Sequence, residues 1–369
     1  MKICCVFNYN PIYRFPIYSE MSEAFNCDFF FGDSVFEPLK QFDPTKLKGF
    51  IKYIHAKRIP MGFFWHSGIR KIFSTKYDVF IIGGSQTYVI NWFVMLYAKL
   101  FRKKVIYWTH GFKREVNLRK ISLTKLYHSM ISQYLVYNEY NTRNMIKAGI
   151  PQNKINVFNN SLDTHLQTEF YKTLKPSTIY KDHFKNSHPV LIFIGRIQKR
   201  MKVDLLIDAI QILKEEGTMV NAVIVGAYVD GVNIEEFVLK KGLEKQVWMY
   251  GPSFEEKRNS ELLYNADICV APGTIGLTAI HALSYGTPCI THNNFSEIGP
   301  EFEAIRENVT GSFFQENDVV SLVDVIKKWI GHDAERREET RKRAREEIEQ
   351  HWSVDGQIKI LKSILSNYE

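Results

Sequence analysis

The feature that most constrains this chain is a recurring set of short, unbroken apolar runs. In the first half they are Ile3–Phe7, Asp28–Phe31, Val79–Ile82, Val105–Trp108, Tyr134–Tyr137 and Ile155–Phe158. In the second half they are Val190–Ile194, Ala222–Val225, Val247–Tyr250, Ile268–Ala271 and Cys289–Thr291. The runs are mostly continuous rather than alternating, as expected of parallel strands covered on both faces. Helical patterns separate them, among them Val203–Glu215, Glu261–Asn265 and Leu277–Tyr285. Strand–helix–strand alternation in both halves predicts an α/β protein with two doubly wound domains. A length of 369 residues suits two such domains.

The polar stretch Leu162–His188 carries Pro176 and has no clear apolar period. The expected division is therefore residues 1–175 and 176–352, followed by an amphipathic helix over 353–369. Ile358, Leu361, Ile364 and Leu365 give that last segment an apolar face able to dock on the N-terminal domain. The stretch Ala334–Gln350 alternates acids and bases, which reads as a solvated helix face rather than a nucleic-acid site.

Charge is unevenly distributed. Residues 1–180 hold 25 Lys/Arg against 11 Asp/Glu, whereas the remainder holds 23 against 29. A basic front half fits an anionic substrate or an anionic membrane, and equally a solvated surface without a partner. The five cysteines include no C-x-x-C, and three lie in apolar runs, as in buried reduced thiols of a cytosolic protein. No secretory signal is visible. The longest apolar stretch, Tyr88–Phe101, contains Asn91 and Lys99. It falls short of the roughly 20 apolar residues a spanning helix needs. It fits a core helix, or a surface helix resting on a bilayer through its basic end at Arg102, Lys103 and Lys104.

Dinucleotide, P-loop, zincin and α/β-hydrolase signatures are absent. Two other features carry chemistry. A strand ends at Gly195-Arg196, followed by Lys199, Arg200 and Lys202 before a helix. Ligands of open α/β sheets bind at the carboxyl edge of the strands, and a fixed guanidinium beside ammonium groups suits a diphosphate. An exposed basic turn has the same sequence. The second feature runs from Ala271 to Ile290, with Gly273 and Gly276 ahead of a helix that starts near Leu277. Free backbone amides at that start make an anion site, and His281 lies one turn on along the same side. The alternative is an ordinary strand–helix–strand unit with a core histidine. No D-x-D pair suggests a metal, so no metal and no cofactor are expected.

On these segments the chain resembles glycosyltransferase family 4, the large retaining group with the GT-B fold. Val105–Gly111 is similar to the strand of the first domain that ends in a His-Gly pair. Tyr134–Asp163 resembles the block that closes that domain, and Gly311-Ser-Phe-Phe the strand after the donor-binding block. The resemblance implies two Rossmann-like domains facing across a cleft. It makes Arg196 and Lys202 ligands of the donor diphosphate, with Lys199 and Arg200 as rivals for the lysine role. Gly195 and the backbone at Gly276, Leu277 and Thr278 would hold the donor. His110 would lie beside the transferred sugar; a buried structural histidine is the other reading.

The chain departs from the family pattern at two acids. Gly273 and His281 stand where the family usually has a glutamate pair that contacts donor-sugar and ribose hydroxyls. The glycine-rich loop that normally meets the acceptor is replaced by Asn8-Tyr-Asn-Pro-Ile-Tyr-Arg14.

The resemblance thus implies a retaining, metal-independent glycosyltransferase of hexosyltransferase type. It would move a sugar from a nucleotide-diphosphate donor to a hydroxyl of a saccharide or lipid-linked acceptor, in surface polysaccharide biosynthesis. Its expected location is cytoplasmic, peripheral at the inner face of the plasma membrane, with no nucleic-acid partner. The alternatives are a nucleotide-sugar epimerase of GT-B fold and a non-catalytic nucleotide-sugar-binding protein.

Overall fold

The computed structural model describes residues 1–33, 40–116 and 122–368. The chain divides into two units, Met1–Asp163 joined by the C-terminal segment from Val354, and Thr164–Ser353. The first boundary thus falls earlier than the expected 175. The helix Thr164–Thr173 belongs with the second unit, where Gln167 donates to Glu256 at 3.3 Å. Its polar sequence hid that attachment.

The first unit is an eight-stranded sheet. Its strands are β1 (Ile3–Phe7), β2 (Cys27–Gly32), β3 (Phe50–Arg58), β4 (Phe64–Ser67), β5 (Val79–Gly83), β6 (Lys104–Thr109), β7 (Gln133–Val136) and β8 (Ile155–Val157). They lie in the order β4-β3-β2-β1-β5-β6-β7-β8, parallel except for the β3–β4 pair. β1 shows why the runs are unbroken. Ile3, Cys5 and Phe7 belong to one core cluster and Cys4 and Val6 to another, so both faces are covered. The C-terminal helix Val354–Ser366 contributes Val354, Ile358, Leu361, Ile364 and Leu365 to the first of these clusters. β3 and β4 were not foreseen. They form the sheet edge and are largely half-buried or exposed, and Lys52, Lys57 and Arg58 interrupt any apolar run.

The helix Val89–Leu100 buries Ile90, Asn91, Val94, Met95 and Ala98. Its other side leaves Phe93, Leu96 and Leu100 exposed, next to exposed Phe101. It is therefore both a core helix and the carrier of an apolar surface. Among the described residues no helix is long and apolar enough to cross a membrane. All five cysteines are free and buried.

The second unit is a six-stranded parallel sheet of β9 (Val190–Ile194), β10 (Asn221–Val225), β11 (Val247–Gly251), β12 (Ile268–Ala271), β13 (Cys289–His292) and β14 (Gly311–Phe314), ordered β11-β10-β9-β12-β13-β14. The helix Val203–Glu215 seals one face through Leu206, Ile207, Ile210 and Leu213. The helix Ala334–His351 is not simply solvated. It buries Thr340, Ala344, Arg345, Glu347 and Ile348, and Arg345 donates to the Ser284 carbonyl at 2.7 Å.

In each sheet the strand order reverses once along the chain, between β1 and β5 and between β9 and β12. Open α/β sheets bind ligands outside the carboxyl ends of the strands at such a point.

Candidate functional site

In the second unit that point is formed by the segments after β9 and β12, the two that the sequence singles out. Thr278 donates its hydroxyl to the Ile194 carbonyl at 3.1 Å, so the end of β9 and the start of the helix Leu277–Ser284 are adjacent. Gly195 lies in the same place: a Cβ there would sit 3.8 Å from the Thr278 hydroxyl. Arg196 follows, half-buried, and no hydrogen bond or ion pair joins its guanidinium to any described residue. A partly buried cation without a partner lacks compensation for its lost hydration.

The neighbouring cations differ. Lys202 donates to Glu316 at 3.2 Å and to Asn317 at 2.6 Å, so it is paired within the protein. The exposed Arg200 places its guanidinium 2.9 Å from the end of the Gln198 amide, which accepts from it when its oxygen is turned that way. Lys199 is exposed, and its backbone amide donates to Asp230 at 2.7 Å. With Gln198, Asp204, Leu205, Asp230 and Asn317, these three cations line an open cavity of about 600 Å³.

Gly273 cannot carry the side chain that the family pattern has there. A Cβ would lie 2.1 Å from the Arg200 carbonyl oxygen and within 2.7 Å of the Met201 backbone. The basic turn is packed directly on this glycine, and the Gly273 amide donates to the Met201 carbonyl at 3.0 Å. Glycine at 273 thus secures the turn that presents the cations.

The start of the helix Leu277–Ser284 has an acidic neighbour that the sequence did not announce. Glu301 is 4% exposed, and its carboxylate lies 3.7 Å from where a Gly276 side chain would begin. An acid there stabilises the helix end and reduces its pull on a second anion. His281 is half-buried and engages Glu256 at 3.1 Å, where Tyr285 also donates at 2.6 Å. Burial pushes the Glu256 pKa up, but His281, Tyr285 and Gln167 outweigh it and hold the carboxyl down at about 2. Single acids in loops and helix starts carry no distinctive spacing, so Glu256, Glu301 and Glu316 escaped the sequence reading.

In the first unit a cavity of about 250 Å³ lies at the β1/β5 switch point. Asn8, Tyr9 and Arg14 reach it from the segment after β1, Gly83, Gly84 and Ser85 from the end of β5, Thr109 and His110 from β6, and Tyr137 from β7. Gly111 adopts φ +73° and turns the chain just past His110. Asn141 fixes that turn by donating to the His110 carbonyl at 2.6 Å. The His110 ring lies 4.7 Å from the Tyr137 ring and is exposed, so it is not a core histidine. Surrounding protein strips part of its hydration, and with the charges of Arg14 and Lys113 this lowers its pKa. Among the described residues no cluster of histidine, cysteine or acid suits a metal ion.

Residues 177–347 match the family model described as glycosyl transferases group 1. No curated protein matches the chain by sequence. Among solved structures, HepE of Anabaena in complex with UDP has a TM-score of 0.73 at 16% identity, covering 100% of both chains. A glycosyltransferase of Rickettsia africae has a TM-score of 0.70 at 15% identity, covering 100% of this chain and 98% of its own. The lipopolysaccharide outer core galactosyltransferase WaaB, in its apo form, has a TM-score of 0.66 at 17% identity, covering 100% of both. These likenesses show the fold: two Rossmann-like α/β domains with parallel sheets, as in GT-B glycosyltransferases.

Proposed function

We propose that this chain is a retaining, metal-independent glycosyltransferase that moves a sugar from a nucleotide-diphosphate donor to a hydroxyl of a saccharide or lipid-linked acceptor. Arg196 carries the reading. It is a half-buried arginine whose guanidinium has no hydrogen-bond or ion-pair partner among the described residues, at the strand-order reversal of a unit whose sequence matches the group 1 family model. Charge builds on the leaving diphosphate as the glycosidic bond breaks. A fixed guanidinium stabilises that charge without reorganisation, and Lys202 joins it when released from Glu316. Gly195 and the amides at Gly276, Leu277 and Thr278 complete the donor site, and His281 reaches a hydroxyl while held by Glu256.

His110 borders the reacting sugar, and its low pKa keeps the imidazole neutral at pH 7, able to accept or donate one hydrogen bond. Attack occurs from the front side, with the leaving phosphate taking the acceptor proton. A uridine donor is the first to test, because HepE binds UDP. The biological setting we favour is surface polysaccharide synthesis at the cytoplasmic membrane face. The basic first half and the exposed apolar side of the helix Val89–Leu100 support that location.

A panel of nucleotide sugars in a thermal-shift assay tests the donor site, and one nucleotide base should raise the melting temperature by a few degrees. Release of nucleoside diphosphate only when an acceptor is present then distinguishes transfer from epimerisation. Arg196→Ala should lower turnover about 30- to 1000-fold. Near-normal turnover in that variant removes Arg196 from the site, and binding without turnover against every acceptor favours a binding protein.

A further inference from the structure

We propose that the first-unit cavity binds an oxyanion, a carboxylate or a phosphate, carried by the acceptor, and that Arg14 is its ligand. The word acceptor rests on the reading above, but the anion site itself does not.

Among the described residues no aspartate or glutamate lines this cavity, whereas Arg14 does. The Arg14 guanidinium donates to two neutral groups, the hydroxyls of Tyr137 and Tyr18. Its central carbon lies over the Trp108 ring, 4.7 Å from the ring centre, and over the Tyr137 ring at 5.4 Å. Its Nε is buried and has no hydrogen-bond partner. The contacts around Arg14 thus fix a planar fork in place without neutralising it. Aromatic faces and phenol oxygens offset only part of the cost of burying a charge, and the full offset requires an anion. A fork held in this way is shaped to take two oxygens of one group.

The position agrees. Arg14 closes the segment that follows β1, on the carboxyl side of the sheet and at its switch point, where a ligand of this unit is expected. The neighbouring polar groups Asn8, Ser85 and His110 suit sugar hydroxyls beside the anion. The Arg14 charge also opposes protonation of His110, which leaves the guanidinium as the cation of the cavity at neutral pH.

Calorimetric titration of the full chain tests this with two charged probes, glucuronate and glycerol 3-phosphate, and their neutral counterparts, glucose and glycerol. One charged probe should bind at least about tenfold more tightly than its neutral counterpart, and which one does so separates carboxylate from phosphate. Arg14→Gln should remove about tenfold or more of that affinity. Asn8→Asp, almost unchanged in volume, brings a competing negative charge to the lining and should weaken binding while the fold is kept. Arg196→Ala should leave it unchanged, which separates this site from the donor site whether or not transfer is ever observed. Charged probes binding no better than neutral ones, or equal affinity in the wild type and both Arg14→Gln and Asn8→Asp, would overturn the proposal.

Discussion

The ammonium of Lys202 is paired with the Glu316 carboxylate at 3.2 Å, both side chains being about a quarter exposed. Lys202 adopts φ +50° at the start of the helix Val203–Glu215, a conformation uncommon outside glycine, so its side chain is directed by a specific turn. If Lys202 also serves the donor diphosphate, Glu316 competes with that ligand. Glu316→Gln should tighten UDP binding about two- to fivefold, the range of a partly exposed ion pair. Calorimetric titration of UDP checks this, and unchanged affinity would take Lys202 out of the diphosphate site.

Gly273 makes a steric prediction. Gly273→Ala drives a methyl group into the Arg200 carbonyl, which lies 2.1 Å from the ideal Cβ position. Overpacking of this kind costs about 1–3 kcal/mol. For a unit of this size that is a drop of about 3–10 °C in melting temperature. Gly273→Glu, which restores the acid of the family pattern, should fare no better, because its Cβ meets the same backbone. An unchanged melting curve in both variants would mean that the basic turn moves aside freely.

What the sequence revealed and what it hid follow from one physical distinction. Strands buried on both faces are written as continuous apolar runs, so β1, β9 and β12 could be read directly. The edge strands β3 and β4 face water and carry lysines and an arginine, so they leave no such trace. The place of Arg196 at the end of β9 was legible because strand, glycine and arginine form one local motif. Arg14 was named only as part of the segment replacing a glycine-rich loop. Its surroundings, Trp108 and Tyr137, lie far along the chain and meet it only once β1, β6 and β7 pair into a sheet. The same holds for His281, whose partner Glu256 comes from another helix.

That partnership sets a pH dependence. The Glu256 carboxyl falls from 4.5 to about 2 on folding. A lowered folded-state value means that the ionised acid stabilises the native state above about pH 4.5, and that this contribution fades as pH falls towards 2. The melting temperature of the second unit should decline across that window. His281→Ala should lower it above the window, and the gap to wild type should close as pH falls through it. Parallel curves at every pH would show that the pair contributes nothing to stability.

The helix Val89–Leu100 supplies the last prediction. Phe93, Leu96 and Leu100 are 39%, 54% and 76% exposed and follow one another at helical spacing, with Phe101 at 46% beside them. The ring of Trp65 meets Phe93 edge-on at 5.9 Å and extends the apolar patch. Lys99 and Arg102 stand at the same end of the helix. An apolar surface rimmed by cations suits the headgroup boundary of an anionic bilayer, where burial and charge attraction act together. The full chain should sediment with vesicles of mixed phosphatidylglycerol and phosphatidylcholine, and less so as salt rises, because the charge attraction is screened over roughly 10 Å at 0.1 M. Leu96→Glu and Leu100→Glu should each reduce the bound fraction several-fold. Both side chains are surface groups, so neither change should shift the melting temperature appreciably. Binding that ignores both salt and these substitutions would assign the apolar patch to some other partner.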